Sequence, residues 1–575
     1  MASARFKLDA WLRAGRRALG LGPLRALARP ARHLLIAPQD IRTSDPSIAV
    51  DIYAGLFTLG GRAVQADGMS VFEIAAPSWL WASELHGFSW LRHLRLSRSA
   101  VSRANARSLL QQWRERPDRR HHTIANEPAT AARRLISFLA QSPLLLEEAD
   151  ADFYQRFMRL LAHEVRKLLR ALRGGRPEQR LGILVALAYY AVCTEQPEAV
   201  AARLDAALSA ELQACILPDG GHAGRNPQAV LELLLDLLPL KQGYIARRAA
   251  PPPALIGAID RMMPMLRMMR HGNGALALFN GMGVTSPDLV AAALAYDDTR
   301  SQPVENAPHS GYQRLGGEDS AKEGVREGAL VIMDCGPPSA GIGPLHPHAG
   351  TLAFEFSDGP QRIVINCGAP AADREALQRA ARSSAAHSTL TIADRSSASF
   401  FERRDRYGRL IAGIARGPRV VATERQQADD AVVVLARHDG YAAAFGLLHE
   451  RRISVGRDMV FGSDRLLPAR AGKRPERPYA LRFHIHPAVT VNRQSDGRVL
   501  LLAAHGRAWM FEAEGGAALE IEESVFFASI SGTRRCKQIV VSGGTVANPD
   551  IHWQFVRAAI GAADFPAVMD DGAAK

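Results

Sequence analysis

Between about residues 75 and 300 the apolar positions recur every three or four residues. In "DFYQRFMRLLAHEVRKLLRALRGG" the side chains Phe153, Phe157, Leu160, Leu161, Val165, Leu168, Leu169 and Leu172 fall on one helical stripe, which Gly174 and Gly175 end. "QRLGILVALAYYAVC", "PEAVAARLDAALSAELQACI" and "NPQAVLELLLDLLPLKQGYI" follow with few residues between them, so successive helices should pair as antiparallel hairpins. No fixed repeat accompanies them. After about residue 305 the period drops to two. "GALVIMDCG", "GTLAFEFSDG", "QRIVINCG", "STLTIAD", "AVVVLARHDG", "ERRISV" and "YALRFHIHPAV" are short β-branched and aromatic runs bounded by Gly, Asp and Ser. That spacing predicts an antiparallel sandwich. The polar, proline-broken "AYDDTRSQPVENAPHSGYQRL" reads as the linker. The expected organisation is α+β and multidomain: a basic leader with first helices over 1–74, a helical domain over 75–304 and a β-sandwich over 305–575.

Composition narrows the class. At 575 residues the chain exceeds one core, and 47% hydrophobic with 22% charged residues is that of a globular protein. A net charge of +13 favours a polyanionic partner: nucleic acid, an acidic membrane face or an acidic polysaccharide. A composition in which Arg replaces Lys accounts for part of it. No nucleic-acid recognition motif accompanies the charge, so that partner is not expected. Five scattered cysteines without a CxxC pair argue against a disulfide framework or a zinc knuckle. The basic start, "MASARFKLDAWLRAGRRALGLGPLRALARPARHLLI", lacks the apolar core of a secretory signal. It reads as a plain leader or surface helix, or as an amphipathic helix resting on an anionic membrane. A cytoplasmic or membrane-peripheral location is therefore expected, with the periplasm or cell envelope as the alternative.

Candidate chemistry clusters in two places. In "GPLHPHAGTLAFEF", His346 and His348 stand two apart before a strand, on one side if the backbone is extended, and His387 in "AAHSTLTIAD" follows. Histidines with a carboxylate could hold zinc; strand histidines at a surface are the simpler reading. In "PDGGHAGRNPQAV", Asn226 before Pro227 fits a helix N-cap, and His222, Arg225 and Asn226 could together bind an anion. His484 and His486 in "LRFHIHPAV" read as exposed, and His271 and Asn273 occupy a glycine-rich turn. "WLWASELHGFSWLRHL" carries Trp81, His86 and His93; packing explains its aromatics, though tryptophans in a cleft can also stack on sugars.

"WASELHGFSWL", "DGGHAGRNP" and "HPHAGTLAFEFSDG…INCG" followed by "AAHSTLTIAD" resemble, in this order, the heparinase II/III family of polysaccharide lyases. The resemblance covers roughly 75–560. It implies an incomplete (α/α) toroid joined to an antiparallel β-sandwich, with an acidic, uronate-containing polysaccharide in the cleft between them. The reaction it implies is β-elimination, in which the uronate carboxylate is neutralised, the C5 proton removed and the C4 oxygen protonated. Asn226 and His222 match the neutralising loop, with Arg225, Trp81 and His86 as substrate contacts. His346 matches a proposed base, and His348 and His387 match histidines that bind zinc in some members. Where those members place an Asp as third ligand this chain has Asn366 beside Cys367, which makes Cys367 the candidate substitute. Gly350 stands where an Asp is usual, and Phe279 and Asn280 stand where the catalytic Tyr is expected, leaving Tyr312 or Tyr244 as replacements. Two main readings follow, a β-eliminative lyase and a glycan-binding or envelope-associated protein that keeps the fold without turnover; a metal-dependent hydrolase is a third. Cationic side chains should concentrate in the interdomain cleft, and the three histidines should converge there with His346 nearest the Asn226 loop.

Overall fold

The computed structural model describes residues 23–115, 123–174, 177–297, 300–316, 328–339, 347–427, 431–470, 476–504 and 506–559. The leader before residue 23 and the candidate base His346 lie outside them. The helices that matter below are α1 (Pro46–Tyr53), α2 (Trp79–Gly87), α3 (Ala100–Glu115), α4 (Pro128–Ala140), α5 (Ala151–Gly174), α6 (Pro177–Cys193), α7 (Glu198–Cys215), α8 (Pro227–Ala246) and α9 (Pro253–Met268). A small hairpin, Leu56–Leu59 with Arg62–Gln65, precedes α2.

Sequence pattern decides which helices are inner and which outer. On α5 only one stripe is buried, Phe157, Leu161, Val165, Leu168 and Leu172 among it, while Phe153 and Leu160 of the same period are half-exposed. α6, by contrast, buries an unbroken run from Ile183 to Tyr190, because "GILVALAYY" is apolar all round and suits only an enclosed position. It packs against α4, α7 and α8, giving the inner wall of an (α/α) toroid. Two inner helices begin in the same way. Glu127 caps α4 by accepting from Thr130 N, Asn226 caps α8 by accepting from Gln228 N, and a proline follows each cap at the first helical turn.

The second half is an antiparallel sandwich. One sheet has nine strands. They are β1 (Asn306–Ala307), β2 (Tyr312–Gly316), β3 (Ala329–Asp334), β4 (Phe354–Asp358), β5 (Gln361–Ile365), β6 (Leu390–Ile392), β11 (Pro478–Ile485), β15 (Ala518–Phe526) and β16 (Arg534–Gly544). Their order is β15-β16-β11-β5-β4-β3-β2-β1, with β6 also on β11. The other sheet runs β7-β8-β9-β10-β17-β14-β13-β12. Its strands are β7 (Val421–Gln427), β8 (Val432–His438), β9 (Leu447–Val455), β10 (Met459–Pro468), β12 (Thr490–Arg493), β13 (Val499–Leu502), β14 (Ala508–Glu514) and β17 (Asp550–Arg557).

Around β3 the nine-stranded sheet is covered on both faces, whereas its edge strand β15 is largely exposed. Every residue of β3, "ALVIMD", is buried. Leu330 and Ile332 join the helical core, while Ala329, Val331 and Met333 join the core between the sheets. A two-sided strand needs apolar residues at consecutive positions, which is why this segment does not alternate. The helical and β halves therefore share one continuous wall. The N-terminal ends of two inner helices meet the β half: Arg409, in the separate 399–416 hairpin, reaches Glu127 at 3.3 Å, and Tyr312 Oη donates to Arg225 O beside the α8 cap.

Candidate active site at the domain interface

Where β3 ends, Asp334 gathers polar groups from both halves. It accepts from Arg225 of the loop before α8, from Asn280 Nδ2 at 3.0 Å and from Gly336 N at 3.0 Å. Arg225 has a left-handed backbone (φ 60°), which turns its side chain back into the interface. Its Nε donates to Ser310 O and its Nη1 to Pro337 O, both at 2.7 Å, and the guanidinium lies 4.9 Å from the Tyr312 ring centroid. Tyr312 is buried as well. Its hydroxyl donates to Arg225 O and accepts from Asn280 Nδ2 at 2.7 Å, and burial holds its pKa well above the ordinary phenol value. Gly336 is required here, since a Cβ at that position would meet Arg225 Nη2 at 2.5 Å.

This placement corrects two expectations. Arg225 is not a substrate contact, because its donors are spent on Asp334 and on backbone carbonyls. Tyr312 is an enclosed interdomain hydrogen-bonding group, with no open phenol to exchange protons with a substrate. Tyr244 lies elsewhere, donating to Asp205 on α7.

The loop leaves other donors unspent. Asn226 is buried; its Oδ1 is fixed by the cap to Gln228 N at 2.8 Å, and its Nδ2 has no partner among the described residues. His222, half-buried, accepts from Gly224 N through Nδ1 at 3.0 Å, so its proton sits on Nε2. Burial lowers its pKa, keeping the ring neutral near pH 7. One amide and one imidazole N–H thus remain available from a loop held by the α8 cap and by Arg225.

The histidines behave differently. His387 Nδ1 donates to Ser383 O at 2.7 Å, so its Nε2 accepts from His348 Nδ1 at 3.1 Å, with the rings edge-on. Burial lowers the His387 pKa. The two imidazoles converge as expected, but on each other. Gly350 serves this packing: a Cβ there would meet His387 Cδ2 at 2.7 Å, which explains why no Asp can occupy the position. The third zinc position is closed. Asn366 Oδ1 accepts from Ser388 N at 2.9 Å and its Nδ2 donates to Glu355 at 3.3 Å. Cys367 points the other way, toward His484 Nδ1 at 3.6 Å and Ser524, with its thiol pushed up to about 12 by burial. Asn366 and Cys367 thus offer no third ligand to the His348–His387 pair, and among the described residues no three His, Cys, Asp or Glu side chains form a metal-sized group.

The remaining candidates are structural. Trp81 is fully buried and donates to Phe57 O at 3.3 Å, leaving no ring face for a sugar. His86 accepts from Trp113 Nε1 at 3.1 Å, and His93 accepts from Asp45 N at 2.9 Å. His484 is buried rather than exposed, 3.0 Å from Ala385 O. His271 pins the helical half to the sheet through Glu355 and Ser357, each at 2.9 Å. Sequence reasoning missed Asp334, Ser310 and Glu355; the acid ending an apolar strand, "VIMDCG", was the available signal for the first.

A toroid whose inner helix ends face an antiparallel sandwich, with the polar loop between them, is the fold of polysaccharide lyases, and the chain belongs to the heparinase II/III family. The profile described as "Heparinase II/III-like, C-terminal" matches residues 299–554. The chain is 33% identical over 571 residues to the FtsZ-localized protein C of Caulobacter vibrioides, covering 94% of this chain and 93% of that one. Its structure resembles heparinase III with a TM-score of 0.71 at 13% identity, over 97% of this chain and 92% of that one. It also resembles the heparan sulfate lyase HepC of Pedobacter heparinus (0.58, 12%, over 94% and 87%).

Proposed function

We propose that the chain recognises a uronate-bearing acidic polysaccharide at the Asn226 loop and binds it without turnover. The observation that carries this reading is the buried, unpaired Asn226 Nδ2, oriented by its own helix cap, with His222 Nε2–H on the same loop. Such donors suit a carboxylate. The Tyr312 hydroxyl is already hydrogen-bonded on both sides, which takes one candidate proton carrier for elimination out of play. The similarity to a relative named for its localisation with FtsZ supports a place in cell division, at the cytoplasmic membrane or in the envelope. No described helix is long and apolar enough to cross a membrane.

Polysaccharide lyase activity is the second reading, favoured by the family and by the same retained donors. One experiment separates the two. The full chain is incubated with a panel of uronate polysaccharides while absorbance of the unsaturated product and binding by calorimetry are followed. Binding without absorbance change is expected, and Asn226→Asp, which keeps the cap but replaces the donor with a charge, should weaken it more than about tenfold. Product formation that is lost in Asn226→Asp would establish the lyase instead; no binding to any uronate polymer defeats both.

A further inference from the structure

The open cationic surface is not at the Asn226 loop. Interface arginines are spent internally: Arg225 on Asp334, Arg409 on Asp405 and Glu127, Arg314 on the carbonyls of Met268 and Arg270. On α5, however, Arg156, Arg159, His163, Arg166, Lys167 and Arg170 recur at helical steps on the side opposite Leu161, Val165 and Leu172; of these Arg156 pairs with Asp152 and Arg166 donates to Ala28 O at 3.1 Å. They border a groove of about 1160 Å³ between α3 and α5, which Arg406 and Tyr407 of the 399–416 hairpin also line. No residue of the Asn226 loop lines it.

Its chemistry is one-sided. Glu115 and Glu164 are the carboxylates among its described lining residues, and Glu164 is buried against Arg134 and Lys167. Arg159 and Arg170 are exposed and have no acidic partner among the described residues. Half-buried Phe153 and Leu160 add apolar ground along the same wall. From Arg156 to Arg170 the stripe runs about 21 Å at ~1.5 Å per residue, the reach of roughly six extended residues.

We propose that this groove docks an acidic, extended polypeptide segment carrying intermittent apolar side chains. A concave site disfavours a flat lipid surface. Stacking on sugars is disfavoured because Trp113 and Phe157 are buried, Trp113 beneath the Arg134 guanidinium at 4.7 Å, and the half-exposed Phe153 and Tyr407 rings already carry Arg107 at 5.5 Å and Arg406 at 4.8 Å. The inference stands apart from the glycan reading, since it uses different residues.

The test is fluorescence anisotropy of the full chain with a labelled peptide of repeated Glu-Glu-Leu. Arg159→Glu with Arg170→Glu should weaken binding more than about tenfold, and raising salt from about 0.05 to 0.3 M should weaken it as well. The exposed control pair Arg457→Glu with Arg493→Glu should leave it within about twofold. Melting curves check folding, and Arg159→Gln with Arg170→Gln gives a milder second variant that should fall between. Equal affinity in the groove variants overturns the proposal, as does equal affinity for a Glu-Glu-Ser peptide, which would reduce it to bulk charge. Vesicles of anionic lipid or heparin losing affinity in the groove variants while the peptide fails to bind would overturn it in favour of those partners.

Discussion

The Asn226 loop and the His348–His387 pair belong to the same interface but have gone opposite ways. At the loop, the backbone and Arg225 satisfy the structural needs, and an amide and an imidazole N–H remain unspent. At the pair, His387 takes Ser383 O on one nitrogen and His348 on the other, Asn366 is consumed by Ser388 and Glu355, and Cys367 turns away. The difference teaches that matching residue types do not preserve a site. What is preserved depends on whether neighbouring groups already satisfy the donors and acceptors.

Asp334→Ala should give the largest effect. It leaves the Arg225 guanidinium buried without its counter-charge, and we expect a loss of about 3–5 kcal/mol in urea unfolding. A loss below about 1 kcal/mol would mean that the loop is not anchored as described, and the contrast would weaken. A smaller effect separates the pair by pH. Burial holds the folded pKa of His387 below the unfolded value of ~6.5, so unfolding takes up a proton under acid conditions. Its contribution is therefore fully present above about pH 6.5 and is lost as pH falls below it. His387→Gln should flatten the fall in stability between pH 7.5 and pH 5, read from urea midpoints at about those two values; an unchanged slope would refute the closed pair. The smallest effect is expected from metal removal. Dialysis against a chelator should leave the melting temperature unchanged, with zinc far below one per chain by elemental analysis. Stoichiometric zinc and a lowered melting temperature would show that the histidines do hold metal.

Much of the architecture was legible from periodicity. The α5 stripe and the all-apolar α6 run follow from a helical period against enclosed packing, and the antiparallel strands from short β-branched runs between turns. The Asn226 cap was readable from Asn-Pro alone, because capping is local chemistry over three residues. His348 and His387 were readable as partners, but not as partners of each other.

The rest depended on what lies across the interface. Trp81 reads the same in sequence whether its ring faces a sugar or a core; α2 packing against the 56–65 hairpin decided for the core. Cys367 follows Asn366, and successive residues leaving a strand face opposite sides, so the two could not share a ligand set once Asn366 faced Glu355 and Ser388. Arg225 carries a charge whose role depends on an acid 109 positions away. The sequence by itself determined the periods, the caps and the order of the two halves, since these depend on neighbours within a turn or a strand. Only the tertiary structure decided which polar groups are spent and which are left open, because burial and hydrogen-bond satisfaction are set by residues far apart in the chain.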